Sequence, residues 1–426
     1  MSEPRLVVEH REHLWYLLAE AAQLEHMIMC QYLYAGFSLK QDPGEGLDPA
    51  QLAAVNDWRK QINGIAVQEM LHLALVANLM TAIGAAPVFG RPNFPQRTNY
   101  FPPTVQLDLL PFGAGALTHF LYLERPEGMA RVDAEGFTPQ VPPFEPVAPS
   151  ESLPRPQEFA TVGHLYRGIA DGLKHLAGQL GERGVFVSPA RAQANPARFQ
   201  WPEVIAVTDL DSALAAVEEI IEQGEGARGE WRDAHYGRFL RIWDSYEAMR
   251  RGDPGFEPAR PIAMAFLRQP LDIAAPQTLI TDPDSRAVAE VFDIGYEVLL
   301  HLLTRFFTHT DETDEQLDTL VGVAFGVMAE VLRPVGAALT RMPVGSEHPG
   351  RTVGPAFEMY YQMGNFVPWR DAAWSLLHER LALLTDRCDR LRSRDRIPAE
   401  ISAVGEQAAA LTARLAAHLA VGADGS

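Results

Sequence analysis

Two long amphipathic helices are predicted near the start of the chain. Hydrophobic side chains recur every three or four residues over 10–39 and again over 49–84, which is the spacing of one helix face. Pro43 follows the first segment and Gly84 closes the second. The repeat is carried by Leu14, Leu17, Leu18, Ala21, Ile28, Tyr32 and Ala35 in the first helix, and by Trp58, Ile62, Ile65, Val76, Leu79 and Ile83 in the second.

The rest of the chain alternates proline-rich loops with further helical segments. Prolines cluster over 85–158, interrupted by one short helical stretch, "LTHFLYLERPE", and again over 251–283. No persuasive strand alternation is present, although 88–110 and 183–202 leave room for strands. The pattern therefore predicts an all-α chain. Its further helices are expected over 158–180, 210–223, 234–246, 285–309, 313–341, 357–388 and 398–421.

Composition and charge narrow the function classes. Hydrophobic residues make up 47% of the 426 residues and charged residues 21%, as in ordinary soluble globular proteins. The net charge of −19 disfavours nucleic acid and anionic membranes as partners, because both require a basic patch. Cys30 and Cys388 lie too far apart for a CxxC motif. With no signal-peptide pattern and no apolar run near 18 residues, we expect a cytoplasmic protein that does not contact membranes.

Three ionisable residues interrupt the two apolar seams. Glu25 falls in the first seam at the step 21-25-28, and Glu69 and His72 fall in the second at 65-69-72-76. Burial of such groups is costly unless each is paired. Packing the two helices side by side would place the three groups together at mid-height. A buried ion pair or hydrogen-bonded core histidine is the simpler interpretation, and a metal site is the alternative that two matching seams favour.

The spacing of Glu69 and His72 suits a dimetal centre. Residues three apart lie on one helix face about one turn apart, so that a carboxylate and an imidazole reach the same ion. Bundle proteins of the ferritin-like type bind two metals with one Glu from each of two helices and Glu-x-x-His from the other two. The second half of such a site would come from the later helices, where the candidates are His164, Glu225 and His235.

The chain also resembles, in a series of ordered motifs, the ferritin-like domain of iminophenyl-pyruvate dimer synthases. That domain occurs in the enzymes that couple two aryl-imine units in violacein and rebeccamycin biosynthesis. The first 240 residues carry the specific part of the likeness. The motifs are "LEHMIMCQYLYAGFSLK" (24–40), "EMLHLALVANLM" (69–80), "GRPNFP" (90–95), "LYLERPE" (121–127), "TVGHLYRGI" (161–169) and "EQGEG…HYGRF" (222–239), with "VGPAFEMYYQM" (353–363) extending into the C-terminal half.

The resemblance implies a carboxylate-rich metal centre that reacts with oxygen. Glu25, Glu69, His72, Glu225 and His235 stand where the motifs of the family have their acidic and imidazole groups, with Glu69 or Glu225 as the bridging carboxylate. A further position departs from the family, because the third-helix motif of relatives has a glutamate where this chain has a histidine, at 164. That exchange would shift the metal preference towards Fe, Cu, Zn or Ni, or mark a lost activity.

These observations lead to one architecture and three functional hypotheses. We expect a ferritin-like four-helix bundle with long loop insertions over 1–250, and a helical domain over 251–426 packed on it. The first hypothesis is a non-haem oxidase or oxygenase with two metal ions, iron before copper, manganese or zinc, that uses O2 on an amine- or imine-bearing small molecule of secondary metabolism. A non-catalytic metal-binding or scaffold protein and a hydrolytic metalloenzyme are the alternatives, and a homo-oligomer stays open.

An aromatic substrate is a further expectation. Aromatic side chains in and near the first bundle segments are candidates to line its pocket, although core packing explains them equally well. The candidates are Tyr32, Tyr34, Phe37, Tyr100, Phe101 and Tyr122.

Overall fold

The chain forms two compact helical units. The first comprises Met1–Val88 and Phe94–Arg260, and the second comprises Phe89–Asn93 and Pro261–Ser426. In the structure the first unit extends to Arg260. The domain boundary at 250/251 stays a prediction. The structure is a computed structural model, and it describes residues 5–96, 106–137, 147–226, 230–271, 273–360, 368–392, 394 and 396–419.

The helices of the first unit are numbered in chain order. α1 and α2 are the two long helices that the sequence predicts, and they pack along each other. The elements are α1 (Arg11–Ser38), α2 (Pro49–Ala82), α3 (Ala114–Leu123), α4 (Val162–Leu180), α5 (Glu182–Val185), α6 (Pro196–Phe199), α7 (Leu210–Gly224) and α8 (His235–Gly252), with 3₁₀ turns at Pro43–Glu45 and Ala190–Ala192.

The second unit is also mainly helical, and it contains one small sheet. A π-helical segment, Val327–Leu332, joins two of its helices, and two three-residue strands pair in parallel. The elements are β1 (Ile262–Met264), α9 (Pro283–Phe307), α10 (Asp314–Gly326), α11 (Arg333–Leu339), β2 (Thr352–Gly354), α12 (Arg370–Leu391) and α13 (Glu400–Ala416).

The predicted seams of α1 and α2 are buried. Every apolar position that defines them is at most 2% exposed, and the three ionisable groups within them are equally inaccessible. Asp48 begins α2 as an N-cap that accepts hydrogen bonds from the amides of Ala50 and Gln51, with Pro49 at the first helical position. Local signals thus start the helix, and burial of its apolar side chains fixes its position.

Two details of the second unit differ from the prediction. β1 and β2 escape detection because three residues are too few to show an alternating pattern. The helix expected over 357–388 begins only at Arg370. Phe357 has a φ of 50°, outside the right-handed helical region, and positions 361–367 of the predicted helix lie outside the described residues.

Two helical stretches are long and apolar enough, by length and composition alone, to cross a membrane. They are Pro49–Ala82 and Asp314–Leu339. Within the most apolar window of each, 83% of the first and 50% of the second is buried inside the fold. Core helices of soluble proteins pass the same test, so the expected absence of membrane contact stays a prediction.

Candidate metal centre

Five buried side chains converge inside the first unit. Glu25 comes from α1, and Glu69 and His72 come from adjacent turns of α2. Glu124 is the residue that ends α3, and His235 is the first residue of α8. Each is at most 5% exposed, so that four segments far apart in sequence bring three carboxyl groups and two imidazoles into one dry interior.

Aromatic packing holds the short helix and the late helix against α1. The ring of Tyr32 lies 4.6 Å from that of Phe120 on α3 and 4.9 Å from that of Phe239 on α8, measured between centroids. Phe120 and Phe239 also contact each other at 5.2 Å. Because these rings are fully buried, they fix where Glu124 and His235 project.

Glu69 lies between the two histidines. Its Oε2 is 2.9 Å from Nδ1 of His72, and its Oε1 is 2.9 Å from Nδ1 of His235. Glu25 Oε2 lies 3.4 Å from the same atom of His72, and Glu124 Oε1 lies 3.6 Å from that of His235. Two triads therefore share one carboxylate. The first triad is Glu25, Glu69 and His72, and the second triad is Glu69, Glu124 and His235, and the donor atoms of each fall within 4.8 Å of one another.

The outer carboxyl groups are each held by a buried tyrosine. The hydroxyl of Tyr166 on α4 donates to Glu25 Oε1 at 2.6 Å, and the hydroxyl of Tyr32 donates to Glu124 Oε1. Burial raises the pKa of both tyrosines well above the ordinary value, with the neighbouring carboxylates adding to the effect. Both hydroxyls therefore stay protonated donors at neutral pH.

Crowding of like charges perturbs the carboxyl groups. Burial, and then the charge of Glu69, raises the pKa of Glu25 to about 8, and burial raises that of Glu124. Burial also opposes ionisation of Glu69, but His235 and His72 outweigh it and hold its pKa well below the usual range. Glu69 is therefore the anion of the group, and burial shifts both outer carboxyls towards the protonated form.

The outer nitrogens of both histidines meet glutamine side chains. His72 Nε2 lies 3.2 Å from Gln223 Oε1, and His235 Nε2 lies 3.2 Å from Gln68 Oε1. Arg238 donates to Gln68 at 2.5 Å, and because a guanidinium only donates, the amide atom that it meets is the oxygen. That oxygen can accept only from N–H, so Nε2 of His235 carries a proton.

The same reasoning applies to the first triad. Gln223 Nε2 donates to Glu219 at 2.5 Å, and since an ionised carboxylate only accepts, the amide nitrogen faces Glu219 and the oxygen faces His72. Nε2 of each histidine is thus protonated. Burial alone would lower the pKa of each imidazole, but Glu69 outweighs it and raises both, which favours a second proton on Nδ1, facing the carboxylate oxygens. Among the described residues Nδ1 of His235 finds no hydrogen-bond partner of acceptable geometry. A metal ion in each triad would take the place of the proton between Nδ1 and the carboxylates, so the residues fit a pair of metal ions.

Comparison with protein-family models finds a match over the first unit. A family model described as Ferritin-like matches residues 18–244, which is more than half of the sequence. The chain belongs to the ferritin-like family. The match spans all five converging residues and confirms the fold class that the helical pattern and the motifs predict.

Two characterised enzymes are similar over most of the chain. Dichlorochromopyrrolate synthase of Lentzea aerocolonigenes is 28% identical over 407 residues, covering 86% of this chain and 38% of the enzyme. The 2-imino-3-(indol-3-yl)propanoate dimerase of Chromobacterium violaceum is 27% identical over 367 residues, covering 82% of this chain and 34% of the enzyme. These relatives confirm the resemblance drawn from the motifs, although the chain spans little more than a third of their length.

One solved structure was matched as well. The crystal structure of a ferritin-like protein from Caulobacter vibrioides is 19% identical and superposes with a TM-score of 0.49, covering 80% of this chain and 98% of that one.

The structure brings together four of the six predicted ligands. Glu25, Glu69, His72 and His235 lie in the two triads. Glu225 lies elsewhere, with Oε1 accepting from the amide of Gly163 at 2.8 Å and Oε2 3.2 Å from Arg167. It therefore caps the N-terminus of α4, where a carboxylate is favourable.

His164 is also placed away from the triads. It stands in the first turn of α4, and its Nδ1 accepts from the amide of Ala160 at 3.1 Å. A histidine at this position therefore bears on that helix start rather than on the five converging groups. Of the aromatic residues proposed to line a pocket, Tyr32 and Tyr34 are fully buried, and Tyr100 and Phe101 lie outside the described residues.

Glu124 is the ligand candidate that sequence reasoning missed. The stretch "LYLERPE" was recognised as a motif, but its glutamate ends a ten-residue apolar helix in the middle of a proline-rich region. The signal available was a single acidic residue directly after an apolar run. The prediction instead places the second half of the site on the later helices, with His164, Glu225 and His235 as candidates, and only His235 joins the group.

Proposed function

We propose that this protein is a non-haem di-iron oxidase that uses dioxygen to oxidise an imine- or amine-bearing small molecule derived from an amino acid. The observation that carries the proposal is the pair of buried triads joined by Glu69. Ferritin-like dimetal sites use four carboxylates and two imidazoles; the two triads supply three of those carboxylates and both imidazoles, and such donors suit iron. Manganese, copper and zinc are the competing metals, since the same donors serve them.

The relatives supply the substrate class. One is named as a dimerase of 2-imino-3-(indol-3-yl)propanoate, which is an imino acid with an indole ring, and the other as a synthase of dichlorochromopyrrolate. We extend the class of aromatic imino acids to this chain because the likeness covers more than four fifths of it. Oxidation of such a molecule needs an electron acceptor, and we propose that dioxygen is that acceptor.

The protein's own groups would hold the metals and keep water away. Glu25 with His72, and Glu124 with His235, would each hold one ion, and Glu69 would bridge the two. Bound iron would supply the electron transfer between substrate and dioxygen. Tyr166 and Tyr32 keep the outer carboxyl groups aimed inward by hydrogen bonds. Glu25, with its raised pKa, would release its proton when an ion binds.

The alternative, a non-catalytic metal-binding or scaffold protein, depends on the histidine at 164 as a mark of lost activity. Because His164 bonds a backbone amide and Glu124 supplies a carboxylate beside His235, a histidine at 164 takes nothing from the converging donor set. This supports two complete triads and hence the oxidase over the scaffold.

The proposal is tested by loading the protein with iron and measuring its reaction with oxygen. The protein is loaded anaerobically with Fe(II), and oxygen is then admitted while absorbance and oxygen uptake are followed, with and without an indole imino acid generated in place by an amino-acid oxidase. We expect a new near-ultraviolet band on oxygen addition and oxygen uptake that rises with substrate, both absent in Glu69→Ala. Metal binding without any oxygen response would instead support the scaffold or the hydrolytic enzyme.

A further inference from the structure

The two histidines have outer contacts of the same length but opposite electrical character. Both Nε2 atoms lie 3.2 Å from a glutamine oxygen. Beyond His72 and Gln223 comes the carboxylate of Glu219. Beyond His235 and Gln68 comes the guanidinium of Arg238. The first triad therefore has an anion behind its amide, and the second triad has a cation.

The anion strengthens the first triad as a cation site. Gln223 donates its N–H to Glu219, which pushes electron density towards the amide oxygen, because linked hydrogen bonds polarise one another. A more negative oxygen accepts more strongly from Nε2–H of His72. The imidazole then presents a more electron-rich Nδ1 to the triad, as outer partners of metal-bound histidines do.

The cation weakens the second triad. Gln68 Oε1 accepts from both His235 and Arg238, so one oxygen serves two donors and the guanidinium draws its electron density away. The positive charge of Arg238, which bonds the same Gln68 oxygen as His235, also repels a cation that enters the second triad. Arg238 is fixed there because its other nitrogen donates to the carbonyl of Gln61 at 3.0 Å.

We propose that the two metal positions are unequal and fill in order, the first triad before the second, because Glu219 and Arg238 tune the two histidines in opposite directions. The inference rests on the proposed dimetal centre and goes beyond it by giving each position its own affinity. Outer partners of this kind change metal affinity by about 10- to 100-fold. We therefore expect the two binding steps to differ by at least about tenfold.

The order is tested by anaerobic titration with Co(II), followed by calorimetry and by visible absorption. Wild-type protein should show a tight step and a step about tenfold weaker. Glu124→Ala removes a ligand of the second triad and should keep the tight step. Glu25→Ala removes a ligand of the first triad and should leave only the weak one.

Arg238→Gln tests the cause of the difference. It removes the charge and keeps an N–H donor for Gln68, so the weak step should tighten by about tenfold and approach the tight one. Arg238→Lys keeps the charge and should keep the steps apart. Arg241→Gln is the matched control, since Arg241 lies on the same helix but is exposed and bonds the carbonyl of Arg232. A merely structural role for Arg238 would weaken both steps and lower the melting temperature.

Glu219→Gln is an independent test of the binding order if Arg238→Gln fails to fold. Glu219 is only partly buried, and its neutralisation should weaken the tight step by about tenfold, while the neighbouring exposed Glu218→Gln should change neither step. Two equal steps in the wild type, or a tight step lost in Glu124→Ala and retained in Glu25→Ala, would overturn the inference and leave the dimetal centre standing. Absence of cobalt binding would overturn both.

Discussion

Replacing Glu69 by glutamine should cost the protein both metal ions. The change preserves the shape of the side chain and removes its charge. Each carboxylate oxygen lies 2.9 Å from a different histidine, so the loss falls equally on the two triads. Removing one partner of a buried charge interaction costs about 3–5 kcal/mol, which corresponds to a loss of at least about 100-fold in affinity for each ion.

The assay is a Co(II) titration that reports stoichiometry and affinity together. Glu25→Gln should lose one ion, because Glu25 belongs to the first triad alone. Glu20→Gln on the same helix is the control: burial raises the pKa of Glu20 to about 8, so its carboxyl group is already mostly neutral at pH 7. If Glu69→Gln binds two ions within threefold of the wild-type affinity, the bridging assignment is wrong, and if it loses one ion, Glu69 serves a single triad.

Two further predictions concern residues outside the triads. A Cβ at Gly163 would lie 2.3 Å from the carboxylate of Glu225, whereas one at Gly178 on the same helix meets nothing within 4 Å. Gly163→Ala should therefore lower the melting temperature, and Gly178→Ala should raise it slightly, as measured by circular dichroism. Arg305→Met leaves Glu312 buried without its ion pair and should cost about 3–5 kcal/mol in urea unfolding at pH 7. Burial alone would raise the pKa of Glu312, but Arg305 lowers it below 4.5, so this cost should shrink as the pH falls from 4.5 through the folded-state value, and a cost unchanged at pH 3 would contradict the assignment.

The helical framework was accessible from the sequence because its signals are local. Periodic apolar positions located α1 and α2 to within two residues at each end, and Asp48 with Pro49 marks where α2 begins. The same periodicity exposed Glu25, Glu69 and His72 as anomalies, since a charge within an apolar seam is visible without any knowledge of the partner helix.

The far side of the centre was not accessible in the same way. Glu225 and His164 had the right chemistry, one just beyond a predicted helix and the other on one, yet Glu225 caps α4 and His164 bonds a backbone amide. Glu124 carries no periodic signal, because it stands one residue beyond the end of its helix.

The sequence alone indicated most of the helices, the family and four of the five converging residues, because spacing within a segment and short motifs carry those signals. Tertiary structure alone decided that Glu124 completes the group, that Glu69 faces both histidines, and which amide stands behind each ring. Those relations join segments more than fifty residues apart, and they are set by how buried rings such as Tyr32, Phe120 and Phe239 pack, which no local pattern encodes.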